Sequence, residues 1–276
     1  MTDYTIRPFR DITELRACVA LQEETWGHGF SERVAPAILK VSQILGGVAA
    51  GAYDPQGKLT GFVFGMTGVK DGETVHWSDM LAVRRGARDT GLGKRLKAYQ
   101  RQFLLERGIE KMFWTFDPLQ SRNAYLNYSK LGIVAREYAR DMYGQTDSPL
   151  HRGIGTDRLI ALWLLASSRV EHRVSGAERG PELADVRDDP QALGAVEPSH
   201  DLVRPGDPVL DLDAPRVRVA IPADISNLMT RSTDLAVAWR EATRAALTHY
   251  LDRGYEVQEL VRCGRTSEYL LSREPV

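Results

Sequence analysis

The chain has 276 residues, 43% of them hydrophobic and 26% charged, and a formal net charge of -1. This is ordinary globular composition, and so even a charge balance supplies no global field for nucleic acid or an anionic membrane; neither is expected as a partner. Cys18 and Cys263 match no metal-ligand spacing and no disulfide framework. The first residues are charged where a leader would be apolar, and the longest apolar run, Leu159 to Ala166, falls far short of the ~20 residues of a membrane span, so no metal and a cytoplasmic location are expected.

In chain order, Tyr4 to Pro8 reads as a short strand, and Asp11 as the N-cap of a helix carrying Leu15, Val19 and Leu21. Val48–Tyr53 and Lys58–Met66 read as strands around the turn Asp54-Pro55-Gln56-Gly57, and Thr74–Val83 as a third, long strand. The glycine- and arginine-rich run from Arg84 to Lys94 then opens a helix with Leu96, Tyr99, Gln100, Phe103 and Leu104, ending near Gly108. Lys111–Phe116 is the next strand, followed by a helix from Ser121 to Leu131 closed by Gly132, and by strands at Ile133–Tyr138 and Arg158–Leu165. From Ser168 the apolar period fades into a connector expected to hold little regular structure. Order returns with a strand at Val217–Ile221, a helix from Ser232 to Arg253 and a hairpin of Tyr255–Val261 with Glu268–Leu271. Tyr128 to Gly132 is faintly echoed by Tyr250 to Gly254, each reading as a helix end with a glycine cap.

The strand, loop and helix around Arg88 carry the chemistry. A helix N-terminus presents backbone N–H groups without intrahelical partners and a partial positive charge, and Gly91 and Gly93 let a ligand approach that backbone. Arg88 and Lys94 add positive charge at the rim, which makes a cradle suited to a pyrophosphate. Three glycines in Rossmann spacing are absent, and so is the Gly-Lys-Ser/Thr of a Walker loop.

Arg88-Asp89-Thr90-Gly91-Leu92-Gly93 resembles the acyl-CoA signature of the Gcn5-related N-acetyltransferase (GNAT) superfamily, and the order of elements from Tyr4 to about Leu165 is similar to that family's. The resemblance implies an α/β fold with a mixed, mostly antiparallel sheet flanked by helices, and an acyl-CoA co-substrate such as acetyl-CoA. It implies pantetheine pairing with the main chain of Leu81, Ala82 and Val83, and a pyrophosphate on Arg88, Asp89, Thr90, Gly91, Leu92, Gly93 and Lys94. The family's second motif is met by Ala124, Tyr128, Lys130 and Gly132, with Ile133 in place of Phe; its asparagine has Asn123 as a candidate, out of the usual register, with Asn127 nearby.

Tyr128 falls where the family often keeps a tyrosine to protonate the leaving thiolate, a task suited to a phenol of pKa about 10. As general base for the amine, Glu23, Glu24, His76, Asp79 and Asp117 are candidates, with Glu24 and Asp79 foremost. Phrases such as Trp114-Thr115-Phe116-Asp117-Pro118, Tyr143-Gly144 and Ile221-Pro222-Ala223-Asp224 resemble a GNAT subgroup of predicted acetyltransferases with a C-terminal extension, some of which act alongside N-acylamino-acid racemases. That resemblance implies N-acylation of a small amine such as an amino acid, from acetyl-CoA or succinyl-CoA. Arg122, Arg136, Arg140, Arg152 and Arg158 are candidates for gripping a carboxylate. The expected organisation is a catalytic domain over residues 1–167, a connector over 168–213 and a strand-helix-hairpin extension over 214–276, which either caps the acceptor site or forms a homodimer contact. A non-catalytic acyl-CoA-binding or protein-interaction module is the alternative.

Overall fold

In the computed structural model, residues 3–144, 153–178, 180–196 and 202–276 are described. Arg152, one of the candidate carboxylate grips, lies outside them. The chain divides into two compact units, Met1–Trp114 and Thr115–Val276.

The first unit contains β1 (Thr5–Pro8), α1 (Ile12–Trp26), α2 (Pro36–Ile44), β2 (Val48–Tyr53), β3 (Leu59–Lys70), β4 (Glu73–Val83), α3 (Leu92–Leu105) and β5 (Lys111–Phe116), whose last two residues pass into the second unit. α1 starts where Asp11 accepts a hydrogen bond from the Glu14 amide at 2.9 Å. Glu14 in turn holds the Arg7 guanidinium at 2.7 and 2.8 Å, which pulls its carboxyl down to about 2. The strands lie in the order β1-β2-β3-β4-β5, antiparallel up to β4, with β4 and β5 parallel. Phe9, Leu15, Cys18, Leu21, Leu39, Phe62, Phe64 and Met80 pack into one core between the sheet and α1 and α2. α2 is absent from the sequence reading; its Ile38, Val41, Ile44 and Leu45 form an apolar stripe at helical spacing that stays exposed, while Leu39 is buried.

One irregularity shapes this sheet. Phe64 pairs with Met80 and the next residue, Gly65, with Ser78, so Asp79 is an extra residue in β4. Such a bulge bends its strand and raises its twist. Gly65 is required opposite the bulge, since a Cβ there would stand 2.3 Å from His76 Nε2 and 2.5 Å from the Trp77 carbonyl. The β4–β5 ladder consists of His76 with Met112 and Trp77 with Phe113, and it stops at the bulge.

The second unit holds α4 (Ser121–Tyr125), a π-helical turn over Leu126–Leu131, β6 (Val134–Ala139), β7 (Arg158–Leu164), α5 (Ser168–Ser175), α6 (Leu183–Val186), β8 (Gln191–Leu193), β9 (Ala195–Val196), β10 (Arg204–Pro205), β11 (Arg216–Pro222), α7 (Ile225–Arg231), α8 (Thr233–Asp252), β12 (Glu256–Cys263) and β13 (Thr266–Ser272). Its sheet runs β7-β6-β12-β13-β11-β8, antiparallel except for the β11–β8 pair. The C-terminal hairpin β12–β13 therefore joins β6 directly, through Val257 and Ala135.

Both units bear out the mixed α/β class with a mostly antiparallel sheet. The segment after Ser168 differs from the reading of little regular structure. Ser167 caps α5 by accepting from the Val170 amide, and Gly176 (φ 81°) closes it. Farther on, residues 203–214 run as a strap whose carbonyls are taken by side chains. Trp239 Nε1 donates to Val203 O (2.9 Å), Tyr250 to Val209 O (2.7 Å), Arg253 to Leu212 O (3.1 Å) and Tyr255 to Ala214 O (2.5 Å).

Candidate functional site

In the first unit, β4 leads through a short 3-10 turn (Arg85–Ala87) into α3. Asp89 (φ 62°) and Gly91 (φ 82°) both occupy the left-handed region, which turns the chain sharply into the helix. Gly91 is the N-cap and offers no side chain, and the first intrahelical bond runs from the Arg95 amide to Gly91 O. The amides of Leu92, Gly93 and Lys94 thus have no protein acceptor among the described residues. A Cβ at Gly93 would meet only the Leu81 side chain, at 3.8 Å, so this glycine faces β4. Leu92 is buried and anchors the turn, while Gly91, Asp89 and Arg88 are exposed and Lys94 is half-buried.

Alongside this helix start, Leu81, Ala82 and Val83 pair with Val63, Phe62 and Gly61 of β3, and have no ladder partner on the side facing β5. Three sequence candidates are thus brought together: an unpaired strand edge, a left-handed glycine turn and a row of free amides. Two of the residues expected to hold the pyrophosphate are already engaged within the protein. Arg88 folds back so that Nε donates to Val83 O at 3.2 Å, and Thr90 Oγ1 donates to Ala87 O at 2.8 Å.

Among the candidate bases, Glu24 forms an ion pair with Arg84, and Glu23 with Arg33. Asp79 sits at the bulge, its side chain reaching solvent from a crowded position. Desolvation by the surrounding protein and the negative charge of Glu32 raise its carboxyl above the ordinary value. His76 is buried between Thr67 and Gln100, and burial, then the Lys97 charge, push its imidazole down to about 3.

In the second unit, Asp117 is buried. It accepts from the Leu119 amide and, at 2.8 Å, from the buried Arg240 guanidinium. Such a locked pair leaves no lone carboxylate for proton abstraction. Asn123 is exposed on α4. The expected continuous helix to Leu131 instead passes into the π turn, and Asn127 and Tyr128 both lie on it. Both are buried, and Asn127 Nδ2 and Tyr128 OH have no hydrogen-bond partner among the described residues. Sequence reading gave Asn127 second place; its burial with an unused donor was the signal that spacing did not carry. The Tyr128 ring packs edge-on against Phe116 (6.0 Å) and Tyr269 (5.8 Å), and burial holds its phenol well above the ordinary value, hence protonated. Isolated π turns recur at functional sites, and an unpaired buried hydroxyl calls for an explanation.

The arginines split. Arg136 Nε is held by Glu256 at 2.7 Å, and Arg158 donates to Asp157 O at 3.0 Å and lies over the Tyr143 ring. Arg122 and Arg140 are exposed, and Arg140 lines a shallow, open pocket with Glu241, Arg244 and Thr248. Among the described residues there is no cluster of metal-ligating side chains and no helix long and apolar enough to cross a membrane.

No protein-family profile matches the chain, and no curated protein matches it either. Among solved structures, the chain is similar to the ribosomal-protein-S18-alanine N-acetyltransferase from Escherichia coli, at 20% identity over 60% of this chain and 96% of that one, with a TM-score of 0.46. An acetyltransferase of the GNAT family from Streptococcus pneumoniae aligns at 16% identity over 58% and 98% of the two chains, with a TM-score of 0.47. The NatC complex bound to Gag peptide and CoA aligns at 14% identity over 59% and 98%, with a TM-score of 0.46.

Proposed function

We propose that the chain is an acyl-CoA-dependent N-acyltransferase of the GNAT type, with residues 1–167 as its catalytic part and residues 214–276 as an extension. The observation that carries this reading is the row of amides at Leu92, Gly93 and Lys94 without a protein acceptor among the described residues, beside a stretch of β4 that has no ladder partner toward β5 from the bulge to Val83. The amides and the helix dipole suit a diphosphate. The main chain of Leu81 to Val83, without a ladder partner on the side facing β5 and met there only by Arg88 at Val83 O, suits the amides of pantetheine, which would add to it as a strand does.

The chemistry assigned to the side chains is acyl transfer. The acceptor amine loses a proton and attacks the thioester carbonyl, the C–N bond forms, the C–S bond breaks, and the thiolate takes up a proton to leave as CoA. Tyr128, buried and protonated with its hydroxyl unspent, is the proposed acid for that last step. Asp79, whose carboxyl is raised and which has no ion pair among the described residues, is the proposed base. Glu24 is better read as the partner that positions Arg84. The acceptor is proposed to be a small primary amine such as an amino acid, with acetyl-CoA or succinyl-CoA as donor. A binding module without catalysis is favoured by one observation: the Tyr128 ring is 0% exposed between two aromatic neighbours.

The deciding experiment is a thermal-shift and turnover screen of the full chain with acetyl-CoA and succinyl-CoA against a panel of amino acids and other amines. Ligand at a hundred times its Kd adds about 2.7 kcal/mol, which raises Tm by several degrees. No shift with either thioester refutes the cradle. A shift without turnover on any amine selects the binding module.

A further inference from the structure

Lys97 lies under the first unit's sheet with 8% of its surface exposed. No carboxylate faces it among the described residues: β4 presents His76 and Ser78, β5 presents Met112 and Trp114, and its own helix presents Gln100. Its Nζ donates to Ser78 Oγ at 2.8 Å, and it stands 3.9 Å from Met112 Sδ and 3.9 Å from the centre of the Trp114 ring. Ser78 and Trp114 each follow the last ladder pair, Trp77 with Phe113, so the amine sits between β4 and β5 where their backbones part.

The hydrogen-bond directions around it are fixed. Thr67 Oγ1 donates to Gly46 O (3.0 Å) and therefore accepts from His76 Nδ1 (3.2 Å). His76 Nε2 accepts from Gln100 Nε2 (2.9 Å), Gln100 Oε1 accepts from Ser78 (3.0 Å), and Ser78 Oγ accepts from Lys97. The chain is complete with a neutral imidazole, and no member supplies Lys97 with a negative charge. A buried ammonium without a counter-charge is unfavourable, and burial alone lowers this amine to about 7.

The missing charge has an evident source in the ligand. Gly93 and Lys97 are four residues apart and share the helix face turned to β4. The free amides begin one turn before Lys97, on the order of 6 Å along the axis, and long helical side chains lean toward the N-terminus. Resting on the acyl-CoA reading above, we propose that Lys97 is the buried cation of that site, and that acyl-CoA binding draws a proton onto its amine. By linkage, the ammonium then strengthens the hold on the diphosphate.

The test is calorimetric titration of acetyl-CoA, which has no thiol to ionise, into the full chain near neutral pH, in buffers of different ionisation enthalpy. The expected result is net uptake of several tenths of a proton, and an affinity that weakens about tenfold from about pH 7 to about pH 9. Lys97→Met should bind about tenfold more weakly at the lower pH and take up none. Binding without proton uptake in the wild type, or equal uptake in Lys97→Met, overturns the proposal. If the variant does not fold, a flat wild-type affinity across this range overturns it alone. Absence of any acetyl-CoA binding to the wild type at every pH sinks the acyl-CoA reading itself. That result is distinct from binding in which no proton moves.

Discussion

Tyr128 and Tyr250 stand in near-identical settings and end in opposite states. Each lies four residues before a left-handed glycine, Gly132 (φ 73°) and Gly254 (φ 83°), and each glycine leads into a strand, β6 or β12, that pairs with the other. Both rings are buried. Tyr250 ends a regular α-helix of 20 residues, and its hydroxyl donates to Val209 O at 2.7 Å. Tyr128 rides on a π turn, and its hydroxyl has no acceptor among the described residues. A hydroxyl that is satisfied explains itself by stability. A hydroxyl that is buried and unsatisfied weakens the fold unless something outside the protein completes it. The faint sequence echo therefore falls on two helix ends of similar build, of which one leaves its hydroxyl without a partner among the described residues.

Substitutions separate the two. The largest effect is expected for Tyr128→Phe, which should lower kcat about 100-fold through loss of a general acid, with acetyl-CoA affinity intact and Tm unchanged or slightly raised. Full turnover in this variant would remove Tyr128 from the mechanism. Next, Gly132→Ala should cost about 2 kcal/mol or more, since its Cβ would stand 3.0 Å from Arg173 Cγ and 3.4 Å from Arg169 O in addition to the strained φ. Gly254→Ala, with nothing within 4 Å, should cost only about 1 kcal/mol. Denaturant midpoints measure the difference, and equal losses would mean that the two caps are equivalent. Tyr250→Phe should lose about 1 kcal/mol for its bond to Val209 and leave kcat per folded molecule unchanged. Last comes an expected absence of effect. Burial raises the Tyr128 phenol, so its acid form persists as pH rises, and the kcat profile should show no alkaline limb from it below about pH 10. A limb near pH 8 that vanishes in Tyr128→Phe would contradict this.

Much of the first unit was legible in its residues. Local signals set Asp11 as a cap, Asp54 to Gly57 as a turn and Gly91 as the entry to α3, because each depends on a side chain's own conformational limits. What stayed hidden depends on partners remote in sequence. The bulge at Asp79 exists only in the register of β4 against β3. The π turn is one extra residue inside a pattern that otherwise reads as helix. The strap over 203–214 lacks apolar period, because its order comes from donors on Trp239, Tyr250, Arg253 and Tyr255 rather than from its own side chains. Asn123 and Asn127 differ by one turn, and burial alone separates them.

The bulge at Asp79 has a consequence for how such a cleft could arise. A continuous strand would carry its neighbour along its whole length and leave no room for a ligand's arm. Adding a single codon to that strand suffices to unzip the far half. Removing Asp79 should then reseal the sheet and take away the proposed base in the same step, so that one deletion closes the gap and silences the chemistry together.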